Sequence, residues 1–162
     1  MIRAAKKEDI ESVVNIHNQA IDAGFQTAFT ERLTVEDRVA WFHQHLGNSY
    51  PMFVYEADGQ VVGWFCINAY RQGRGALHST VEASYFIHMD HQKKGIGTAL
   101  MEYGLNACRQ LGYKTVLAII LEKNIGTIRL LEKFGFERWG YLPGVAVFDG
   151  EECSHIYYGK KI

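Results

Sequence analysis

The chain has few of the features that mark special classes of protein. Among 162 residues there are only two prolines and three cysteines, and 17 basic residues nearly balance 18 acidic ones, so the formal net charge is −1. Without a basic excess, the composition argues against nucleic acid as a partner. The longest strongly apolar run, residues 116–121, is far shorter than the roughly 20 residues of a membrane-spanning helix. The charged start also lacks the apolar segment of a signal peptide, so we expect no membrane partner.

The cysteines and histidines predict neither a disulfide framework nor a metal site. Cys66, Cys108 and Cys153 are odd in number, widely spaced and without a C-x-x-C pair, which fits a reducing cytoplasm. The seven histidines are scattered and show no ligand spacing with a second ligand type. We therefore expect a cytoplasmic protein with no metal.

The hydrophobic fraction of 48% is typical of a globular protein, and the length predicts a single domain over residues 1–162. Apolar periodicity and turn signals, among them Asp58-Gly59, predict the order β-α-α-β-β-β-α-β-α-β-β. The strand-helix-strand unit over residues 80–121 predicts one parallel pair. The expected fold class is α/β, a mixed and mostly antiparallel central sheet with helices on both faces.

The spacing of apolar residues predicts which side chains share a face in the second helix and in the strand that begins at Thr80. The second helix is expected to form its apolar stripe from Val35, Val39, Phe42 and Leu46. The strand that begins at Thr80 is expected to reach Met89 and to carry apolar residues at alternate positions on one face.

The segment 88–98 joins this strand to a helix and predicts an anion site. Gly95 and Gly97 remove side chains where the helix begins, so the free N–H groups of the first turn face outward. Together with the helix dipole they suit a phosphate or pyrophosphate, and Lys93 and Lys94 add positive charge. A glycine-containing turn with two solvated lysines is the alternative interpretation. Neither the Walker P-loop nor the dinucleotide fingerprint is present.

The same residues carry a family resemblance. QKKGIG at 92–97 resembles the acetyl-CoA pyrophosphate motif of the GNAT N-acetyltransferases, and N-x-x-T-x-x-L-x-x-K-x-G-F at 124–136 resembles their second motif. Within that superfamily, TVEASYFI at 80–87 and TAF at 27–29 resemble the phosphinothricin / methionine sulfoximine acetyltransferase branch.

The resemblance implies acetyl-CoA as cofactor, with coenzyme A as product. The backbone of Tyr85, Phe86 and Ile87 would bind the pantetheine arm like an added strand, and Asn124 would contact the pantetheine or the thioester end. The pyrophosphate would lie on the loop formed by Gln92, Lys93, Lys94, Gly95, Ile96, Gly97 and Thr98. A homodimer is also implied.

Glu82 is the predicted catalytic residue. An amine is mostly protonated at pH 7, so acetylation needs a proton acceptor near the thioester. A carboxyl group in a pocket closed by cofactor would have a raised pKa and become a usable base. The resemblance places a glutamate with this role here, and transfer would be direct, without an acyl-enzyme. A solvent-facing strand carboxylate is the alternative.

Two further residues are predicted to bind the acceptor. Arg74 would clamp a substrate carboxylate through two parallel hydrogen bonds, as the branch resemblance suggests, and Phe29 would line the pocket. A solvated loop arginine and a packed loop aromatic are the alternatives.

The sequence departs from the family pattern in two places. Leu131 stands where many members have a tyrosine or histidine, so protonation of the leaving thiolate would fall to water or to another group, such as Tyr141. The branch's aromatic-rich stretch after the last hairpin is replaced by GEECS at 150–154, which changes the polarity of the pocket.

We therefore expect an acetyl-CoA-dependent N-acetyltransferase acting on the amine of a small amino-acid-like substrate. Three alternatives remain open. The first is acetylation of protein N-termini or polyamines, which Glu151 and Glu152 would favour. The others are a non-catalytic acetyl-CoA-binding module and a purely structural interaction domain.

Overall fold

The computed structural model describes residues 1–47 and 49–162. Within these ranges the chain forms seven strands and four α-helices, and their order is the predicted one. The elements are β1 (Ile2–Ala4), α1 (Ile10–Ala23), α2 (Val35–Gln44), β2 (Met52–Ala57), β3 (Gln60–Ala69), β4 (Thr80–Ile87), α3 (Ile96–Gln110), β5 (Thr115–Leu121), α4 (Ile125–Lys133), β6 (Glu137–Phe148) and β7 (Glu151–Lys161).

The strands form one sheet in the order β1-β2-β3-β4-β5-β7-β6. All neighbours are antiparallel except β4 and β5, which are parallel. This confirms the predicted fold class, including its single parallel pair. None of the helices in the described residues is long and apolar enough to cross a bilayer.

Helices cover both faces of the sheet because β3 alternates two sets of buried side chains. Phe65 faces a cluster that includes Leu100 of α3 and Leu131 of α4. Trp64 faces a second cluster, which contains residues of α1 and α2 such as Val13 and Phe42. Successive side chains of a strand point to opposite faces, so neighbouring residues of β3 belong to different halves of the core.

The parallel pair is short and then separates. β4 pairs with β5 only at Thr80–Thr115, Val81–Val116 and Glu82–Leu117. Beyond Glu82, β4 continues against β3 up to Ile87, while β5 continues against β7 up to Leu121. The two strands therefore leave a gap in the sheet, which we call the splay.

Two local expectations are wrong. β4 ends at Ile87, and Met89 begins a short 3-10 turn where it is 54% exposed. In α2 the stripe is misplaced, since Val39 is 37% exposed. Positions i, i+3, i+4 and i+7 of a helix share a face, and the inward face of α2 carries Arg38, Trp41, Phe42 and, just beyond its end, His45.

α3 approaches the sheet closely at Gly104. A Cβ atom there would lie 2.3 Å from Cε1 of Phe65, and the Phe65 ring is fully buried. Because the ring has no room to move aside, this glycine is required by the contact between helix and sheet rather than by its backbone freedom.

We expect Gly104→Ala to destabilise the fold, although alanine ordinarily favours a helix interior by about 0.5–1 kcal/mol over glycine. The added methyl group overpacks the core, at a cost of about 1–3 kcal/mol. Gly126→Ala is the matched control, because that helical glycine has open space at its Cβ position. Urea unfolding measures both, and equal stability of the two variants would contradict the close contact.

Candidate functional site

A cavity of about 600 Å³ opens at the splay. Its walls are the second half of β4, the end of β5, the loop before α3 and the first turns of α3 and α4. Of the predicted cofactor-binding residues, it brings together Tyr85, Phe86, Ile87, Gln92, Lys93, Gly95, Gly97, Thr98 and Asn124. The other two do not line it, since the Lys94 side chain is exposed and Ile96 is buried in the core.

One end of this cavity is the start of α3, where backbone N–H groups are free. Gly95 occupies the N-cap with a φ of 81°, and its lack of a side chain leaves the helix without a side-chain cap. Ala99 donates the bond to the Gly95 carbonyl (3.0 Å), so the amides of residues 96–98 precede the helical ladder. Uncapped amides at the positive end of a helix dipole suit a phosphate.

The long wall of the cavity is the edge of β4 that faces the splay. Beyond Glu82 this edge has no strand partner within the described ranges, so backbone N–H and C=O groups there remain available for hydrogen bonds. The Tyr85 hydroxyl donates to Thr127 Oγ1 at 3.1 Å, and burial raises the pKa of this tyrosine. An extended polar chain would therefore find a free strand edge along this wall.

Asn124 fixes the opposite wall. It is the N-cap of α4, and its Oδ1 accepts a hydrogen bond from the Thr127 amide at 3.2 Å. Because that oxygen is used by the cap, Nδ2 is the Asn124 atom that could donate to a ligand.

A second cavity of about 430 Å³ lies on the α1–α2 side of the splay. It shares Gln26, Ser84, Phe86, Ile119 and Ile120 with the first cavity. The two cavities therefore meet where β4 and β5 separate, and a ligand in one can reach a ligand in the other.

Glu82 lines the second cavity at the last paired position of β4, opposite Asn68 of β3 and Leu117 of β5. Burial raises the pKa of its carboxyl group above the ordinary value. Asn68 lies beside it and donates to the Glu82 carbonyl at 3.5 Å and to Ser84 Oγ at 3.4 Å. The Glu82 side chain is therefore largely enclosed in the cavity, in contrast to the alternative interpretation of Glu82 as a solvent-facing strand carboxylate.

Aromatic rings form the floor of the second cavity around His17 of α1. The His17 ring centroid lies 4.7 Å from that of Phe86 and 5.2 Å from that of Phe29. Burial, with a smaller contribution from the charge of Arg38, lowers the pKa of His17 to about 4. The imidazole is therefore neutral at pH 7.

The two predicted acceptor-binding residues differ in position. Phe29 lines the second cavity. Arg74 does not line either cavity: it lies in the exposed loop before β4, where its Nη1 donates to the Gln72 carbonyl at 3.3 Å. The fold therefore does not bring Arg74 to the pocket that contains Glu82.

The cavity instead contains a basic residue that the sequence reasoning missed, Arg38 of α2. It was missed because charged positions on a helix ordinarily face solvent. The i, i+3 spacing of Arg38 and Trp41 is a signal that could have indicated it, since such a pair can stack on one face. From β7, His155 and Tyr157 also line this cavity without having been predicted.

Neither cavity is lined by Leu131, Tyr141 or Cys66. Leu131 is fully buried in the core. The Tyr141 hydroxyl is bonded to Ser154 Oγ at 2.7 Å and to Glu122 at 3.2 Å, and Tyr141 lines neither cavity. Cys66 is fully buried, and burial raises the pKa of its thiol to about 12, so the reactive thiolate is scarce at neutral pH.

These features define a class of protein. Anion-binding amides at one end of a groove, a free strand edge along it and an enclosed carboxylate at the other end suit a transferase. Such a transferase binds a long phosphate-bearing donor beside a small acceptor.

Comparison with known proteins gives the family. Residues 14–136 match the Acetyltransferase (GNAT) family, and the chain belongs to this family of acetyl-CoA-dependent N-acetyltransferases. YwnH of Bacillus subtilis is 35% identical over 99% of this chain and 98% of its own length. An L-methionine sulfoximine/L-methionine sulfone acetyltransferase of Salmonella typhimurium is 30% identical over 90% of this chain and 85% of its own.

A solved structure supports the same assignment. It is a GNAT superfamily phosphinothricin acetyltransferase from Sinorhizobium meliloti in complex with AcCoA. It is 25% identical, with a TM-score of 0.93, and the match covers 100% of this chain and 88% of that one. The predicted family resemblance is thereby confirmed.

Proposed function

We propose that this enzyme acetylates the amine of a small amino-acid-like substrate by direct transfer, with Glu82 as general base. The observation that carries the proposal is the position of Glu82, which lines the second cavity two residues before Ser84, a residue that lines both cavities. The first cavity then holds the donor and the second holds the acceptor.

The residues of the first cavity fit acetyl-CoA. The uncapped amides at the start of α3 suit its pyrophosphate, with Lys93 and Lys94 adjacent, and the free edge from Tyr85 to Ile87 suits the amide-bearing pantetheine arm. Asn124 offers Nδ2 near the other end. When bound, acetyl-CoA supplies the acetyl thioester, and coenzyme A is the product.

Glu82 accepts the proton that the acceptor amine must lose, either directly or through one water. Its raised pKa makes the carboxylate a stronger base than an exposed glutamate, because burial disfavours the charged form. Leu131 has no proton to give, and the Tyr141 hydroxyl is engaged outside the cavities. We therefore propose that solvent protonates the leaving thiolate.

The acceptor class rests on the relatives together with the cavity. The Salmonella relative is named for methionine sulfoximine and methionine sulfone, which are small amino acids, and a cavity of about 430 Å³ with an aromatic floor suits molecules of that size. The case for a polycationic acceptor is weaker, because Glu151 is paired with Lys123 and neither Glu151 nor Glu152 lines this cavity.

A panel of amines tests the acceptor class. With L-methionine sulfone as acceptor, we expect acetyl-CoA to release coenzyme A faster than with spermidine or a peptide with a free N-terminus, because the size and aromatic floor of the second cavity suit a small amino acid. Faster turnover of spermidine or the peptide would favour the alternative acceptors. Binding of acetyl-CoA without turnover of any amine would indicate a non-catalytic module.

Glu82→Gln tests the base. We expect kcat/KM to fall by at least about tenfold while the affinity for coenzyme A is unchanged. In the wild type, kcat/KM should also rise with pH through an apparent pKa above 4.5, the ordinary value for glutamate, because burial raises the pKa of Glu82. In Glu82→Gln, kcat/KM should no longer rise through this pKa, and only the rise that is set by deprotonation of the substrate amine should remain.

Glu102→Gln on the exposed face of α3 is the matched control, with no expected change. Undiminished turnover by Glu82→Gln, or an unaltered pH profile, would rule out Glu82 as the base.

We further propose a homodimer that covers β6. This strand lies at the edge of the sheet, and its Trp139, Val145 and Val147 side chains are 46%, 56% and 57% exposed. Apolar side chains on an open sheet edge form a surface that proteins ordinarily cover. A cytoplasmic location is proposed with it, supported by the three unpaired cysteines.

Light scattering after gel filtration tests the dimer. We expect the wild type at twice the chain mass of 18.4 kDa, and a Val145→Lys/Val147→Lys variant at the single-chain mass, because two lysines oppose burial of the edge. Val39→Lys, at an exposed valine of α2, should leave the mass unchanged. A monomeric wild type would refute the proposal.

A further inference from the structure

Arg38 is held over an aromatic ring inside the second cavity. Its guanidinium carbon lies 3.5 Å from the centroid of the Trp41 ring and 5.8 Å from that of Phe29. Arg38 and Trp41 are three residues apart on α2, so they share one face of the helix. The first turn of that helix is secured by a capping box between Thr34 and Asp37.

The half-buried Arg38 has no carboxylate partner within the described residues, since none lies within 4.0 Å of its guanidinium. The adjacent Asp37 is engaged elsewhere, because its Oδ2 accepts from both the amide and the hydroxyl of Thr34 at 2.8 Å. Within the part of the chain that the structure describes, Glu82 is the one acidic residue that lines the cavity, and it also lies beyond that distance. The N–H groups of Arg38 therefore remain open to the cavity and available to a ligand.

A stacked guanidinium keeps its hydrogen-bonding edge free. The N–H groups of arginine lie in the plane of the group and point outward, so the flat face can rest on Trp41 while the edge binds a carboxylate through two parallel bonds. The neighbouring histidines do not compete for this role. Burial lowers the pKa of both His17 and His45, and the charge of Arg38 contributes in the same direction.

We propose that Arg38 binds the carboxylate of the acceptor and so selects α-amino acids over simple amines. This inference rests on the proposed function, whose second cavity it assigns in more detail. Arg38 supplies the positive partner for the carboxylate, and Glu82 supplies the basic group for the amine. The cavity thus presents one group of each kind, which matches the two charged groups of an amino acid.

The test compares two acceptors that differ only in the carboxylate, L-methionine sulfone and its carboxamide. We expect the wild type to prefer the acid, and Arg38→Gln to lower kcat/KM for the acid by about tenfold to a hundredfold, the worth of a charged hydrogen-bonded pair. The kcat/KM for the carboxamide should stay within about twofold, since that substrate has no charge for Arg38 to bind.

Two further variants separate charge from packing. Arg38→Lys keeps the charge and should retain part of the preference for the acid, although lysine lacks the planar fork. Arg109→Gln, at an exposed arginine of α3, should retain all of it. Equal losses on both acceptors in Arg38→Gln would show that Arg38 supports only the packing around Trp41, and would overturn the inference.

Calorimetric titration measures the affinity for the same two compounds and therefore tests the role of Arg38 without relying on turnover. In the presence of coenzyme A, we expect the wild type to bind the acid more tightly than the carboxamide and Arg38→Gln to bind them equally. Binding that discriminates without turnover would support Arg38 while refuting the proposed activity. Turnover of both compounds with equal affinities in the wild type would refute the role of Arg38 and leave the activity standing.

Discussion

The separation of β4 from β5 after three paired positions is the constraint on which the site depends. A continuous parallel pair would use the β4 edge for its own ladder and would close the sheet between the two cavities. Because β4 stays paired with β3 alone beyond Glu82, while β5 stays paired with β7, the other edge of β4 keeps free hydrogen-bonding groups. The uncapped start of α3 then lies at one end of the opening and Glu82 at the other.

Successive side chains of β4 point to opposite faces of the sheet, so residues of the core and residues of the cavity alternate along this strand. Ala83 and Tyr85 face α3 and α4, where they are part of the larger core cluster. Glu82, Ser84 and Phe86 line the cavity on the side of α1 and α2. A shift of one residue in the register of β4 would exchange these sets, so the long pairing with β3 up to Ile87 keeps the Glu82 carboxyl group on the side of α1 and α2.

Features that depend on neighbouring residues in the chain could be predicted from the sequence. The order of elements follows from periodicity and from turns such as Asp58-Gly59, and the loop from Gln92 to Thr98 is recognisable because its glycines and lysines are contiguous. Arg38 and Arg74 show what local patterns miss. Whether an arginine faces solvent or a cavity depends on how its helix or loop packs against distant strands, and here the helix arginine is enclosed while the loop arginine is exposed.

Burial of Glu82 and His17 makes the stability of the fold depend on pH, and the two residues act in opposite directions. Since burial raises the pKa of Glu82 above its unfolded value, its contribution is most favourable at low pH and is lost as pH rises through the raised pKa. For His17, the pKa falls from 6.5 to about 4, so its contribution is present above pH 6.5 and is lost as pH falls toward 4. Because His17 is neutral at pH 7, Arg38 supplies the positive charge among the described residues that line the second cavity. The guanidinium of Arg38 and the carboxyl group of Glu82 line the same cavity, and the proposed recognition of an amino acid rests on this pair of groups.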